Sequence, residues 1–175
     1  MEKGDEKVDE LLKLAKQVGN LLRAKELTLG LAESCTGGIL GAVITEIPGS
    51  SDYFRGSIVA YHNKVKKKVL KVPRPLLKKF GAVSPEVAVA MARGARKVTG
   101  ARIGLSVTGI AGPSGGSPES SGGSPEKPVG LVYIGLDAKR VQRVHKFDFS
   151  GTRSEIRQSA CTQALTLLIE FLQLP

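Results

Sequence analysis

Glu33, Ser34, Cys35 and Thr36 stand in a row directly before the pair Gly37-Gly38. A carboxylate, two hydroxyls and a thiol within four positions are the residue types of acyl or phosphoryl chemistry. Ser34 stands where a nucleophile would, with Cys35 as its neighbour and rival. The two glycines carry no side chain, so another molecule can approach the backbone there. Thr36 is the expected N-cap of a helix beginning after it. The first amides of such a helix point outward, and its dipole favours an anion beside them. Together these features fit a nucleophile next to an oxyanion or phosphate cradle. They also describe the polar β-turn-α corner that α/β domains repeat.

The elements that must hold this turn are legible on both sides. Leu29 to Ala32 is an apolar run of strand length, and Ile39, Leu40, Val43, Ile44 and Ile47 follow at helical spacing. A second strand end is expected at Ile103 to Val107, followed by the small residues of Thr108-Gly109-Ile110-Ala111-Gly112-Pro113. Ligands of open α/β sheets sit at the carboxyl ends of strands, so Ser34 and Thr108 are expected to line one crevice.

The remaining chain divides readily. Val8, Leu11, Leu12, Ala15, Val18 and Leu22 form one stripe of an N-terminal helix. Ser57 to Tyr61 reads as a strand, and Asn63 is expected to cap a helix from Lys64. Ser84-Pro85-Glu86 opens a helix with Val87, Met91, Ala95 and Val98 inward, closed by Gly100. Val129 to Leu136 and Val141 to Phe149 alternate as a hairpin, and a last helix runs from about Thr152 to Leu172. Between them, Ser114 to Lys127 repeats Gly-Gly-Ser-Pro-Glu at Gly115–Glu119 and Gly122–Glu126, which predicts a mobile surface loop. The order α-β-α-β-α-α-β-β-β-α predicts a three-layer α/β/α domain spanning 1–175, with a mixed sheet of about five or six strands.

Composition limits the function classes. The 175 residues, 41% of them hydrophobic, suffice for one core, and no apolar run is long enough to span a bilayer. The charged start, Met1 to Glu10, lacks a signal core, so a cytoplasmic protein without membrane partners is expected. Cys35, Cys161, His62 and His145 show no metal-ligand spacing, and no metal or cofactor is expected. The net charge of +10 is concentrated at Lys64, Lys66, Lys67, Lys68, Lys71, Arg74, Lys78 and Lys79. Such a patch could meet an anion. Aromatics for base stacking are missing apart from Phe80, which disfavours nucleic acid.

Seven segments in order resemble one family. They are Ala32-Glu33-Ser34-Cys35-Thr36-Gly37-Gly38, Pro48-Gly49-Ser50-Ser51, Val59-Ala60-Tyr61-His62-Asn63 with Lys66, and Gly81-Ala82-Val83-Ser84. Val107-Thr108-Gly109-Ile110-Ala111-Gly112-Pro113, Glu126-Lys127-Pro128-Val129-Gly130 and Ser150-Gly151-Thr152-Arg153 complete the set. The chain from Leu27 onward is similar to the C-terminal domain of the competence/damage-inducible CinA proteins, which also occurs alone as nicotinamide-nucleotide amidase. The resemblance implies an α/β/α homodimer that hydrolyses nicotinamide mononucleotide to nicotinate mononucleotide and ammonia. It also implies that Ser34 is the nucleophile, Lys66 the base and Tyr61 a helper in proton transfer. The alternative is a non-catalytic nucleotide-binding or nucleic-acid-associated accessory protein.

Further roles follow from the same likeness. Glu33 is expected to bind ribose hydroxyls or orient Lys66. Thr36, Gly37 and Gly38 are expected to offer amides to an oxyanion or phosphate, with Asn63 nearby. Thr108, Gly109, Ala111 and Gly112 form the opposite wall, and Arg153 suits the substrate phosphate. Lys66 would sit in the first turn of its helix among like charges, both of which favour a neutral amine, with burial needed for any large shift. Two departures from the family pattern stand out. The amino-terminal domain of longer members has no room in this chain, and the repeated Gly115–Ser121 unit lengthens the glycine-rich loop.

Overall fold

The computed structural model describes residues 3–113 and 127–174. Residues 114–126, which hold the repeated glycine-rich units, lie outside the described residues. Strands β1 (Leu29–Glu33), β2 (Phe54–Val59), β3 (Ile103–Gly109), β4 (Leu131–Ala138) and β5 (Val141–Asp148) form one sheet in the order β2-β1-β3-β4-β5. The β1 strand is parallel to β2 and β3, and the hairpin β4-β5 is antiparallel. The β3-β4 pair is antiparallel as well, which makes the sheet mixed.

Helices α1 (Lys3–Ala24), α2 (Ile39–Thr45), α3 (Asn63–Lys68), α4 (Arg74–Phe80), α5 (Pro85–Thr99) and α6 (Arg153–Gln173) cover the sheet. On one face Leu11, Val18 and Leu22 of α1, Leu40 and Ile44 of α2, and Ile156, Leu165 and Leu168 of α6 bury Leu29, Leu31, Ile103, Leu105 and Val107. On the other face Val87, Met91 and Ala95 of α5 pack with Ala32, Ala60, Leu70 and Val72. Strand alternation explains the division, since successive side chains point to opposite faces. On the α5 side β3 carries Gly104, Ser106 and Thr108. A Cβ on Gly104 would collide with the Ala92 carbonyl, so its absence sets how closely α5 approaches.

The structure adds one helix to the expected order, α4 between α3 and α5, where Pro75 occupies the first turn and is tolerated there; the other differences lie at element ends. The first helix begins at Lys3, ahead of the predicted Val8, and Val8 faces solvent, 47% exposed. Val98, expected inward, is 49% exposed in the last turn of α5. The second strand runs from Phe54 to Val59, before the predicted Ser57 to Tyr61. Tyr61 therefore leaves the sheet and lies beyond its carboxyl edge. Thr152 caps α6 by a reciprocal box with Glu155, which places Arg153 at the first helical position.

Candidate active site

Glu33 ends β1 at the middle of the parallel part of the sheet, opposite Val59 on one side and Val107 on the other. Beyond it the ladder continues for one bond each way: Ser34 N–H donates to the Val107 carbonyl at 2.9 Å and Ala60 N–H to the Glu33 carbonyl at 2.7 Å. The turn that follows is thus anchored to three strands. Alternation sends Glu33 and Cys35 to the α1-α2-α6 face. Ser34 points to the other face, towards α3.

Lys66 meets Ser34 there. Its Nζ lies 3.0 Å from Ser34 Oγ and donates to the carbonyls of Ala60 at 2.7 Å and Tyr61 at 3.2 Å. Lys66 is fully buried, whereas Lys64, Lys67 and Lys68 on the same short helix are exposed. Burial lowers its pKa from the usual 10.5 to about 8. The helix dipole, invoked from the sequence, is not what shifts it. α3 is six residues long, and Lys66 belongs as much to its last turn as to its first. The cap of α3 also differs from expectation. His62, not Asn63, caps it, with Nδ1 accepting from the Lys64 amide at 3.0 Å.

Cys35 takes no part on this side. It is buried in the core, and burial raises its thiol to about 12, so no thiolate forms near neutrality. Ser34 keeps a small opening to solvent, 8% of its surface.

Glu33 is placed differently from its expected role. It is fully buried with both oxygens occupied. Oε2 accepts from Thr36 Oγ1 at 2.8 Å and from the amides of Gly38 at 3.0 Å and Leu40 at 3.1 Å. Oε1 accepts from the Gly41 amide and from Ser57 Oγ, both at 2.8 Å. A carboxylate beside the N-terminus of α2 thus takes the amides that were expected to cradle an anion. The cap residue is Gly38 rather than Thr36, and the Thr36 hydroxyl donates to Glu33 instead of accepting. Gly37 and Gly38 have φ of 63° and 101°, left-handed values that suit glycine. The Gly37 amide donates to the Ser34 carbonyl at 3.1 Å.

The second wall is partly structural. Thr108 is buried towards α5, its hydroxyl donating to the Ala82 carbonyl at 2.8 Å. Gly109 is half-buried at the end of β3, and Ala111 and Gly112 are buried. Arg153 ties this wall to the other side: Nη1 donates to the Gly112 carbonyl at 2.6 Å and Nη2 to the Tyr61 hydroxyl at 3.0 Å. Tyr61 is 54% exposed, and its hydroxyl stands at this rim, while its backbone carbonyl is what meets Lys66. Asn63 is half-buried at the start of α3.

Three contributors escape a reading of the sequence. Ser57 holds Glu33 from β2. Lys127, half-buried, donates to the carbonyls of Phe80 and Val83. Arg157 donates through Nε to the Cys35 carbonyl at 3.1 Å and through Nη2 to the Thr36 carbonyl at 2.8 Å. Its spacing was the available signal, since four residues after Arg153 places it on the same helical face. Among the described residues no three His, Cys, Asp or Glu side chains gather as a metal-binding group. Among them, too, no helix is long and apolar enough to cross a membrane.

The family model for the CinA C-terminal domain matches residues 11–172. The chain belongs to this family. It is 51% identical over 150 residues to a putative competence-damage inducible protein of Moorella thermoacetica, across 86% of this chain and 34% of that relative. It is also 51% identical over 152 residues to a CinA-like protein of Citrifermentans bemidjiense, across 87% of this chain and 35% of that relative. The chain thus spans about a third of the length of these curated relatives. Among solved structures it is similar to the competence/damage inducible protein CihA from Agrobacterium tumefaciens, with TM-score 0.86 and 37% identity over 94% of this chain and 96% of that one. A CinA superfamily protein from Enterobacter cloacae superposes with TM-score 0.86 at 26% identity, over 93% and 92% of the two chains. The three-layer arrangement is therefore that of the CinA superfamily.

Proposed function

We propose that the chain is a serine-lysine amidohydrolase acting on a pyridine nucleotide, converting nicotinamide mononucleotide to nicotinate mononucleotide and ammonia. The observation that carries the reading is the 3.0 Å contact between Lys66 Nζ and Ser34 Oγ, made by an amine that burial has brought to a pKa of about 8. At pH 7 about one such lysine in ten is neutral, against about one in three thousand at the usual 10.5.

The three contacts of Nζ define its two states. As an ammonium it has three N–H groups, matched by Ser34 Oγ and the carbonyls of Ala60 and Tyr61. As an amine it keeps two hydrogens for the carbonyls, and its lone pair faces the Ser34 hydroxyl. Two fixed carbonyls thereby aim the lone pair. Lys66 takes the Ser34 proton as Oγ attacks the amide carbon, and the tetrahedral oxyanion forms. Lys66 returns the proton to the nitrogen, ammonia leaves, and a serine ester remains. Water, deprotonated by the same amine, hydrolyses the ester to the carboxylate.

Arg153 and Tyr61 stand at the rim, where a guanidinium can receive the substrate phosphate. The names of the relatives speak of competence and damage and leave the chemistry open. The buried nucleophile-base pair favours turnover, because a binding module has no use for it. Incubating purified protein with nicotinamide mononucleotide and measuring ammonia and nicotinate mononucleotide tests the reading. Stoichiometric binding without either product would sink it.

A further inference from the structure

The turn carrying Ser34 is gripped from behind. Arg157 belongs to α6, on the face of the sheet opposite α3 and Lys66, and its guanidinium reaches two successive carbonyls, those of Cys35 and Thr36. The fit is close: a Cβ on Gly37 would stand 3.0 Å from Arg157 Nη2. Each trans peptide points its C=O and N–H in opposite directions. Among the described residues the cis peptide bond is Gly112–Pro113, so the Cys35–Thr36 peptide is trans. With the Cys35 carbonyl drawn towards α6, the Thr36 N–H is turned to the face that holds Ser34 Oγ and Lys66.

Most of the neighbouring amides are committed. Ser34 N–H donates to Val107, Gly37 N–H to Ser34 and Ile39 N–H to Thr36. Those of Gly38, Leu40 and Gly41 donate to Glu33. The Cys35 amide has no protein acceptor among the described residues, and it belongs to the peptide before the one whose carbonyl Arg157 holds. Among the described residues the Thr36 N–H meets no protein acceptor.

We infer that Arg157 is a positioning residue that locks the Cys35–Thr36 peptide so that the Thr36 amide donates to the oxyanion formed when Ser34 attacks. The inference rests on the Ser34 nucleophile of the preceding reading. A guanidinium suits the task because its planar fork spans two adjacent acceptors, which a lysine ammonium does as a single point. An oxyanion donor acts only on the transition state, so losing its alignment lowers kcat and leaves substrate binding nearly unchanged.

The test compares wild type, Arg157→Lys and Arg157→Gln in two reactions. The first uses an alkyl fluorophosphonate. Ser34 Oγ bonds to phosphorus, fluoride leaves, the proton passes to Lys66, and the phosphoryl oxygen takes the oxyanion position. The labelling rate is followed by intact mass, with Ser34→Ala as the control for site, and is referred to the fraction that labels fully, so a partly unfolded sample does not register as a slow one. The second is ammonia release from nicotinamide mononucleotide. Both variants are expected to label roughly ten to a hundred times more slowly, with kcat reduced to match, KM within about twofold and the pH–rate midpoint unchanged. Labelling of Arg157→Lys at the wild-type rate overturns the inference. A wild type that labels at Ser34 but releases no ammonia removes the proposed substrate, and the labelling comparison still decides the role of Arg157. A wild type that does not label at Ser34 overturns both readings.

Discussion

Lys66 Nζ and Ser34 Oγ stand 3.0 Å apart, although 32 residues separate them and one is the single buried member of a run of exposed lysines. The contact exists because the ends of β1 and β2 are paired. That pairing places the Ala60 and Tyr61 carbonyls next to Ser34, and those carbonyls hold the amine.

The first prediction tests Ser34 as the proposed nucleophile. Ser34→Ala is expected to abolish ammonia release, with a circular dichroism spectrum like the wild type. Cys35→Ser is expected to keep most of the activity, because the thiol lies in the core, and to lose about 1–2 kcal/mol of stability for burying a hydroxyl. An active Ser34→Ala enzyme beside a dead Cys35→Ser enzyme would reverse the assignment.

Since the amine must be neutral to act, kcat/KM for nicotinamide mononucleotide is expected to rise with pH through about 8. Lys66→Ala should lose this limb and most of the rate, and Lys66→Arg should not restore it, because a guanidinium holds its proton. Lys67→Ala and Lys68→Ala, altered at exposed positions, should retain the profile. The pH–rate curves of these variants decide the matter.

Stability should carry the same signature. The folded pKa of Lys66 lies below the unfolded value of 10.5, so between about 8 and 10.5 the unfolded chain binds the extra proton. Unfolding free energy from this group therefore rises with pH across that window. Lys66→Met lacks the contribution. The melting temperature of Lys66→Met relative to wild type should fall steadily from pH 8 to pH 10, and a constant difference would show that the amine does not titrate there.

Glu33 accepts only from donors, so Glu33→Gln places an NH2 group against hydroxyl or amide hydrogens. The expected loss is on the order of 2 kcal/mol or more, because bonds to a buried charged acceptor are broken. Chemical denaturation measures it. A variant as stable as the wild type would mean that α2 does not depend on this cap.

Arg153→Ala is expected to raise KM for nicotinamide mononucleotide roughly tenfold or more while kcat changes little, as loss of a charge-assisted phosphate contact would. The same variant should not discriminate against nicotinamide riboside, which has no phosphate. An equal effect on both substrates would assign Arg153 to holding Tyr61 and Gly112 rather than the phosphate.

Local pattern alone determined much of this molecule. The apolar run Leu29 to Ala32, the break at Ser34 and the helical spacing from Ile39 establish a strand, turn and helix, because each depends on residues adjacent in the chain. Ser84-Pro85 and Gly100 likewise mark both ends of α5. Tertiary structure decided which polar groups meet at the Ser34–Lys66 contact. Six residues of α3 are too few to show a buried stripe, so only its docking beside Ala60 distinguishes Lys66 from Lys64, Lys67 and Lys68. Glu33 and Ser34 are adjacent, yet strand alternation gives one to the cap of α2 and the other to Lys66. The Arg157 partners lie 121 and 122 residues away, and nothing in a helix face names the carbonyls it will meet. A buried charge or amide settles its partners only when distant segments pack, because the cost of leaving it unpaired is incurred there.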